Sequence, residues 1–504
     1  MTKATSGKIG GSTAKSLSVW RNFEIEPSTK GTPTKLTRNR KKGFSWVINA
    51  VLPLTLTIVT GVAVLLPESL TTNARLSLFA FALAVILWST TSFNAAFVAL
   101  AVVVLLVLTG GVPQEKLYES LASDVVWLMI GAFILGSAVQ QTGLAARFAQ
   151  LVVSRARTVG SVLWLLTTMI IPLSFFIPST SGRAAVVIPI FHSIANAAND
   201  KRVTKAIAIL MPTVILVSTI GTIIAAGSHL VANDLLYQIS KQQISFTDWV
   251  LYGTPFGIVA SYISCWVIMR LFLDKKRLQR PITLPQTKNK PLSQAEWATL
   301  IIVAMMVVLW LTESWHKLEI ATVTVVGALL LTAPNIGVLK WKDALKAVSW
   351  NLIIFVGAAL VLGKALIETG AAQWIIDNLF SMSGIVNAES RLLILLVLTL
   401  ISLTSHIYMT SHTARAAALV PAILYLATSL KLNPTAVLFI STVGMDYCLT
   451  FPVSSKALLM FQELDGETYK GADLLRLSSI MLLVHVALIL IFYYGYWRWL
   501  GLEL

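Results

Sequence analysis

The chain has 504 residues, 56% of them hydrophobic and only 12% charged, with a formal net charge of +16. Soluble domains carry about 25% charged residues, so this composition excludes an ordinary soluble fold. The positive charge does not mark a nucleic-acid surface: ten Lys/Arg against two Glu are concentrated in residues 1–45.

That first segment mixes its basic residues with Gly, Ser, Thr and Pro and reads as a basic, disordered cytoplasmic tail. It lacks the apolar run of a secretory signal. Apolar stretches then recur, several close to the roughly 20 residues that cross a bilayer. Spans are expected near 46–67, 76–90, 93–110 and 122–142. Basic "RFAQLVVSRAR" (147–157) and "NDKRVTK" (199–205) flank the next segment and fall on one side of the membrane by the positive-inside rule. A segment that leaves and returns to one side is a re-entrant hairpin, placed here at 160–198 with "STSGRAAVVIP" (179–189) at its tip. Spans near 206–231 and 250–273 complete a first half, 46–273. A basic cytoplasmic linker comes next, at 274–292.

The second half, 293–504, has spans near 296–312, 319–334 and 350–368, a hairpin at 392–430 and a last span near 477–499. Its hairpin carries "SHTARAAALVP" (411–421), and "GKALIETGAA" (363–372) parallels "GSAVQQTGLA" (136–145). The tips share Ser179/Ser411, Arg183/Arg415 and Pro189/Pro421, with Ser181 opposite Thr413. The fold class expected is therefore an all-α polytopic membrane protein: about 11 transmembrane helices plus two oppositely oriented re-entrant hairpins in an inverted repeat. The N-terminus would be cytoplasmic and the C-terminus outside, in a plasma or bacterial inner membrane. Trp46, Trp315 and Trp497, near span ends, fit an interfacial belt. Cys265 and Cys448 lie in apolar runs and read as core residues.

Non-helical backbone at membrane depth survives only where protein or water covers it. Ser, Thr and exposed amides at a helix start make an anion cradle. Ser179, Thr180 and Ser181 supply one such cradle, and Ser411, His412 and Thr413 the other. Ionisable residues within spans point to function by default. For Arg183 and Arg415 the readings are direct binding of an anion, occupation of a cation's place, or a structural role. Asp446 reads as a proton site, a sodium ligand, or an ion-pair partner of Arg415 or Lys456. Lys456 reads as a substrate contact or a cytoplasmic-edge lysine. His412 is the histidine of most interest, ahead of His229 and His406. Gly227, Lys456, Asp446 and His412 are the ion-coupling candidates.

The serine tips followed by an Ala-rich helix and Pro resemble the divalent-anion/sodium symporters, the dicarboxylate and citrate carriers of the INDY type, over about residues 46–500. "STIGTIIAAGSHLVAN" (218–233) and "GMDYCLTFPVSSKALLM" (444–460) look like that family's second pair of site loops, bringing in Ser228, Ser454 and Ser455. The resemblance implies substrate carboxylates at the two tips, sodium sites near Ser179 and Ser411, and a homodimer. This chain departs where the family has Asn (Thr180 and His412) and where it has a final Thr (Arg183 and Arg415). It also has His229-Leu230-Val231 and Lys456 where Pro-Pro-Asn is usual.

No Walker loop, dinucleotide fingerprint or His-Glu-x-x-His is present. The expectation is not an enzyme but a secondary transporter of small divalent anions, di- or tricarboxylates or a sulfate-like oxyanion, with Na+ or H+ as the only candidate cofactor. Coupling to protons or exchange would replace sodium where arginine fills its site. A sodium-coupled symporter with structural arginines, an anion channel and an intramembrane hydrolase are the alternatives. The partners expected are the anion, lipid and a second copy, with no nucleic acid.

Overall fold

A computed structural model describes residues 41–283, 291–334, 337–375, 390–464 and 468–504, with side chains from residue 51. The expected tail lies outside these apart from the first backbone turn of α1; so do Trp46's side chain and parts of the 274–292 linker and the 463–476 loop. The chain divides into Met1–Val51 and Leu52–Leu504. The first unit contributes the opening turns of α1, and the second holds the remaining helices and the candidate site.

The described fold is helical. In order run α1 (Lys41–Leu65), α2 (Thr72–Thr90), α3 (Ala95–Leu108), α4 (Gln114–Glu119), α5 (Asp124–Gln141), α6 (Leu144–Val153), α7 (Val159–Ile170), α8 (Thr180–Ala198) and α9 (Lys201–Val217). Then come α10 (Gly227–Ser240), α11 (Phe246–Phe272), α12 (Lys275–Leu278), α13 (Gln294–Leu311), α14 (Glu313–His316), α15 (Ile320–Thr332), α16 (Trp341–Ala347), α17 (Trp350–Glu368) and α18 (Ala371–Ile375). The last are α19 (Arg391–Tyr408), α20 (His412–Ser429), α21 (Pro434–Met445), α22 (Lys456–Gln462) and α23 (Gly471–Gly495). Among the described residues eight helices are long and apolar enough to cross a membrane, and six shorter ones are also apolar.

The chain writes many of these boundaries locally. Ser123 caps α5 by accepting from the Val125 amide (3.2 Å), and Ser293 with Glu296 closes a reciprocal capping box on α13. The outer faces are apolar: Leu54, Ile58, Val62 and Leu65 recur at helical spacing on α1, each more than half exposed. Such a stripe has no place in water and suits lipid. Trp315 is 86% exposed, as an interfacial residue would be. Trp497 is not: it is fully buried, stacks with Phe256, Phe439 and Phe492, and donates from its indole to the Tyr252 carbonyl. Its position at a span end misled the belt assignment, because the 3₁₀ turn at 497–500 folds it back inward.

The two halves interlock. Helix α10 packs against α20, and α22 packs against α8 and α9. Each helix that follows a break thus sits on the other half's serine-tipped helix. Three ion pairs gather the segments expected on one side: Arg147–Glu296 (3.2 Å), Asp200–Arg277 (3.1 Å) and Lys205–Asp473 (3.2 Å).

Candidate functional site

Both tips are made by a serine that starts a helix. Ser179 is extended and its Oγ accepts from the Gly182 amide (3.2 Å); Ser411 is extended and its Oγ accepts from the Ala414 amide (3.3 Å). These caps start α8 at Thr180 and α20 at His412, three residues before Arg183 and Arg415. The tip hydroxyls pair likewise: Ser179 Oγ with Ser181 Oγ at 3.0 Å, Ser411 Oγ with Thr413 Oγ1 at 3.4 Å.

The two other site loops are helix breaks of one form. After α9, extended Thr222 leads into a 3₁₀ turn, Ile223–Ala225, then extended Ala226 and α10. After α21, extended Phe451 leads into a 3₁₀ turn, Pro452–Ser454, then extended Ser455 and α22. A buried break frees carbonyls that need donors. In the first break Trp249 Nε1 donates to Ile220 O (3.0 Å) and Thr254 Oγ1 to Gly221 O (2.7 Å), both from α11. Helix α11 comes this close because Gly253 lacks a side chain; a Cβ there would lie 2.1 Å from Ile220 O. The second break is tied by Tyr447 to Ser478 and by Thr450 to Ser478 and His406.

Tips and breaks meet at one cavity of about 910 Å³. Its walls include Ser179, Thr180, Ser181, Gly227 and Ser228 from the first half, and Ser411, His412, Thr413, Ser455 and Lys456 from the second. The structure therefore brings together ten of the residues singled out in the sequence. Ser454 is buried and does not line the cavity. The walls also carry Asn94, Ser137, Gln140, Ser349 and Asn351, which sequence reasoning missed. The signal for Asn94 was its place as the cap of α3 after "TTSF"; Ser349 and Asn351 lie likewise at the start of α17. Ser137 and Gln140 lie inside a regular helix and carry no local signal.

Arg183 and Arg415 are fully buried and are not among the residues that line the cavity. The Arg183 guanidinium reaches into the first break. It donates to Ile215 O (3.1 Å), Thr219 Oγ1 (2.9 Å) and Ala225 O (3.3 Å). A cluster of carbonyl and hydroxyl oxygens at a broken helix is the donor set a hard cation takes. Arg415 donates to Cys448 Sγ at 2.8 Å in the second break. Among the described residues neither arginine forms a salt bridge.

Asp446 pairs with neither Arg415 nor Lys456. Its Oδ2 lies 2.8 Å from His229 Nε2, across the two halves, and both side chains are buried. The other ring nitrogen, Nδ1, faces the Thr222 carbonyl at 3.1 Å, and a carbonyl only accepts. Nδ1 is therefore the donor to that carbonyl, which leaves Nε2 to meet Asp446. His229, ranked below His412 in the sequence, thus joins the two breaks. His406 is fixed between Leu403 O and Thr450 Oγ1, away from the cavity. His412 lines the cavity, and its Nε2 has no partner among the described residues.

The profile of the sodium:sulfate symporter transmembrane region matches residues 47–503. A Cupriavidus necator protein named only as a membrane protein is 27% identical over 86% of this chain and 89% of its own. The citrate/succinate antiporter of Escherichia coli K12 is 23% identical over 73% of this chain and 78% of its own. The sodium-dependent dicarboxylate transporter SdcS of Staphylococcus saprophyticus is 24% identical over 83% and 86%. Among solved structures the YdaH transporter of Alcanivorax borkumensis aligns with a TM-score of 0.54 at 12% identity, covering 77% of this chain and 89% of its own, a likeness of fold alone. With the match running through nearly all of its apolar helices, the chain is an integral multi-pass membrane protein and a transporter, and it belongs to the sodium:sulfate symporter family.

Proposed function

We propose that this protein carries small di- or tricarboxylates, or a sulfate-like oxyanion, across the membrane by alternating access, and that it exchanges anions or couples to protons rather than to sodium. The observation that carries the reading is that one cavity is walled by both serine tips and both breaks, with no carboxylate among its described lining residues. Hydroxyls and helix-start amides from α8 and α20 offer hydrogen bonds to anionic oxygens. Arg183 and Arg415, buried without an acidic partner, add fixed positive charge behind the tips. The tips would be re-entrant hairpins of an inverted repeat, moving with the breaks against a scaffold of the remaining spans, in a homodimer. The many basic residues near the three ion pairs that join 147, 200–205, 277, 296 and 473 support placing that end, and the N-terminus, in the cytoplasm.

Sodium independence is supported by Arg183, whose charge already satisfies the break oxygens that would otherwise suit a cation. The antiporter name of the Escherichia coli relative points the same way. The sodium-coupled reading rests on the name of the staphylococcal relatives. Uptake of labelled succinate, citrate and sulfate into proteoliposomes, with sodium or choline as the external cation and with or without internal anion, separates them. Equal uptake in both cations is expected; strong stimulation by sodium would overturn the coupling assignment. Arg183→Gln and Arg415→Gln should abolish uptake while the folded protein persists, and normal uptake in both would leave the arginines structural.

A further inference from the structure

Among the described residues lining the cavity, Lys456 is the only formally charged one. Its side chain is exposed to that space and forms no hydrogen bond or ion pair with any described residue. An unpaired ammonium facing an acid-free cavity has a strong reason to attract an anion.

The two breaks make its position informative. Ala226 (φ −149, ψ 143) and Ser455 (φ −151, ψ 138) are equivalent, each following a three-residue 3₁₀ turn and preceding a helix. The next residue is Gly227 in one half and Lys456 in the other, and both line the cavity. At Gly227 a Cβ would meet Leu352 Cδ2 at 3.0 Å and Met129 Cε at 3.3 Å, so that wall is tight against α17 and α5. The matching wall of the second half holds a long cationic side chain. The two halves thus contribute unequally to the cavity: neutral hydroxyls and a glycine from the first break, hydroxyls plus an ammonium from the second.

Resting on the carboxylate-carrier reading above, we propose that Lys456 is a substrate-binding residue that receives one carboxylate of the cargo and so fixes which end of a two-ended anion faces the second half. The other carboxylate is then held by neutral donors alone. Lys456 positions the anion by charge and supplies no part of the protein's internal packing.

Succinate and citrate binding to purified full-length protein, by calorimetry, and exchange in proteoliposomes test this on wild type, Lys456→Gln and Lys456→Arg. Because Lys456 is exposed and forms no hydrogen bond or ion pair with a described residue, Lys456→Gln should melt within about 1 °C of wild type, as surface substitutions do. A charged hydrogen bond is worth about 1.5–3 kcal/mol, so Lys456→Gln should weaken binding roughly 10- to 100-fold. The KM for exchange should rise by a similar factor with little change in maximal rate, and Lys456→Arg should recover most of the loss. If wild type binds carboxylates and Lys456→Gln binds them equally well, the assignment falls while the carrier reading stands. If wild type binds no carboxylate, the carboxylate half of the carrier reading falls and takes this assignment with it. A loss of affinity in Lys456→Gln that Lys456→Arg fails to recover in any degree would also overturn a role based on charge.

Discussion

The His229–Asp446 pair gives a prediction with an unusual sign. Both side chains are buried, they meet at 2.8 Å, and they come from the two different breaks. Asp446→Leu keeps the branched outline of the side chain and strips His229 of its partner. Removing one member of a buried pair costs about 3–5 kcal/mol, whereas replacing both with apolar residues is often close to neutral. With an unfolding entropy of ~2.1 cal/mol/K per residue over roughly 450 structured residues, that cost lowers Tm by about 3–5 °C. In the double variant Asp446→Leu/His229→Leu two smaller losses remain. The Thr222 carbonyl loses its donor, about 1 kcal/mol, and the ring contact with Trp249 at 5.0 Å, worth about 0.5–1.5 kcal/mol, goes too. The double variant should therefore melt only about 1–3 °C below wild type, above the Asp446→Leu single variant. Thermal unfolding of the purified protein, followed by intrinsic tryptophan fluorescence, reads this directly. A double variant that melts at or below Asp446→Leu would refute the claim that these two residues are each other's partner.

The same geometry sets three further outcomes. Gly253→Ala should drive a methyl group into the Ile220 carbonyl and cost at least about 1–3 kcal/mol, seen as a loss of monodisperse protein on size exclusion or a lowered Tm. Ser179→Ala and Ser411→Ala each remove a helix cap worth about 1 kcal/mol and a cavity hydroxyl, so both should lower Tm slightly and weaken anion binding in the same calorimetric assay. At the end of the molecule that carries the ion pairs, burial pushes the Asp200 carboxyl up, but the Val203 and Arg202 amides and the Arg277 guanidinium outweigh it and hold it below its ordinary range. Folded carboxyls with depressed pKa values add stability that is complete above the unfolded carboxylate range near pH 4 and is lost as pH falls through the folded values. Melting temperature should thus drop on acidification below about pH 4, and less steeply in Asp200→Asn.

Much of the site was legible in the sequence because it is written in local chemistry. A serine before a small, Ala-rich helix is a cap wherever it occurs, and its repetition at Ser179 and Ser411 with an arginine four residues on marked both tips. The breaks at 218–233 and 444–460 came into view only through the family resemblance, since composition alone ran a span across 206–231. Partners were not visible, since a side chain's neighbour across the fold leaves no trace in its own stretch. His229 and Asp446 are 217 residues apart, and only the interlocking of α10 with the second half brings them together. Trp497 shows the same limit: its place at a span end suggested an interface, and the turn after α23 put it in the core.

The sequence by itself determined that the chain is helical, lives in lipid and carries two matched serine-arginine segments, because hydrophobic length and capping chemistry act within a few residues of their cause. Only the tertiary structure decided which cations face the cavity. Arg183 and Arg415 turned away into the breaks, where freed carbonyls and a thiol accept their hydrogens, and Lys456 was left pointing at open space. Charge alone could not separate the three; the position of the acceptors did.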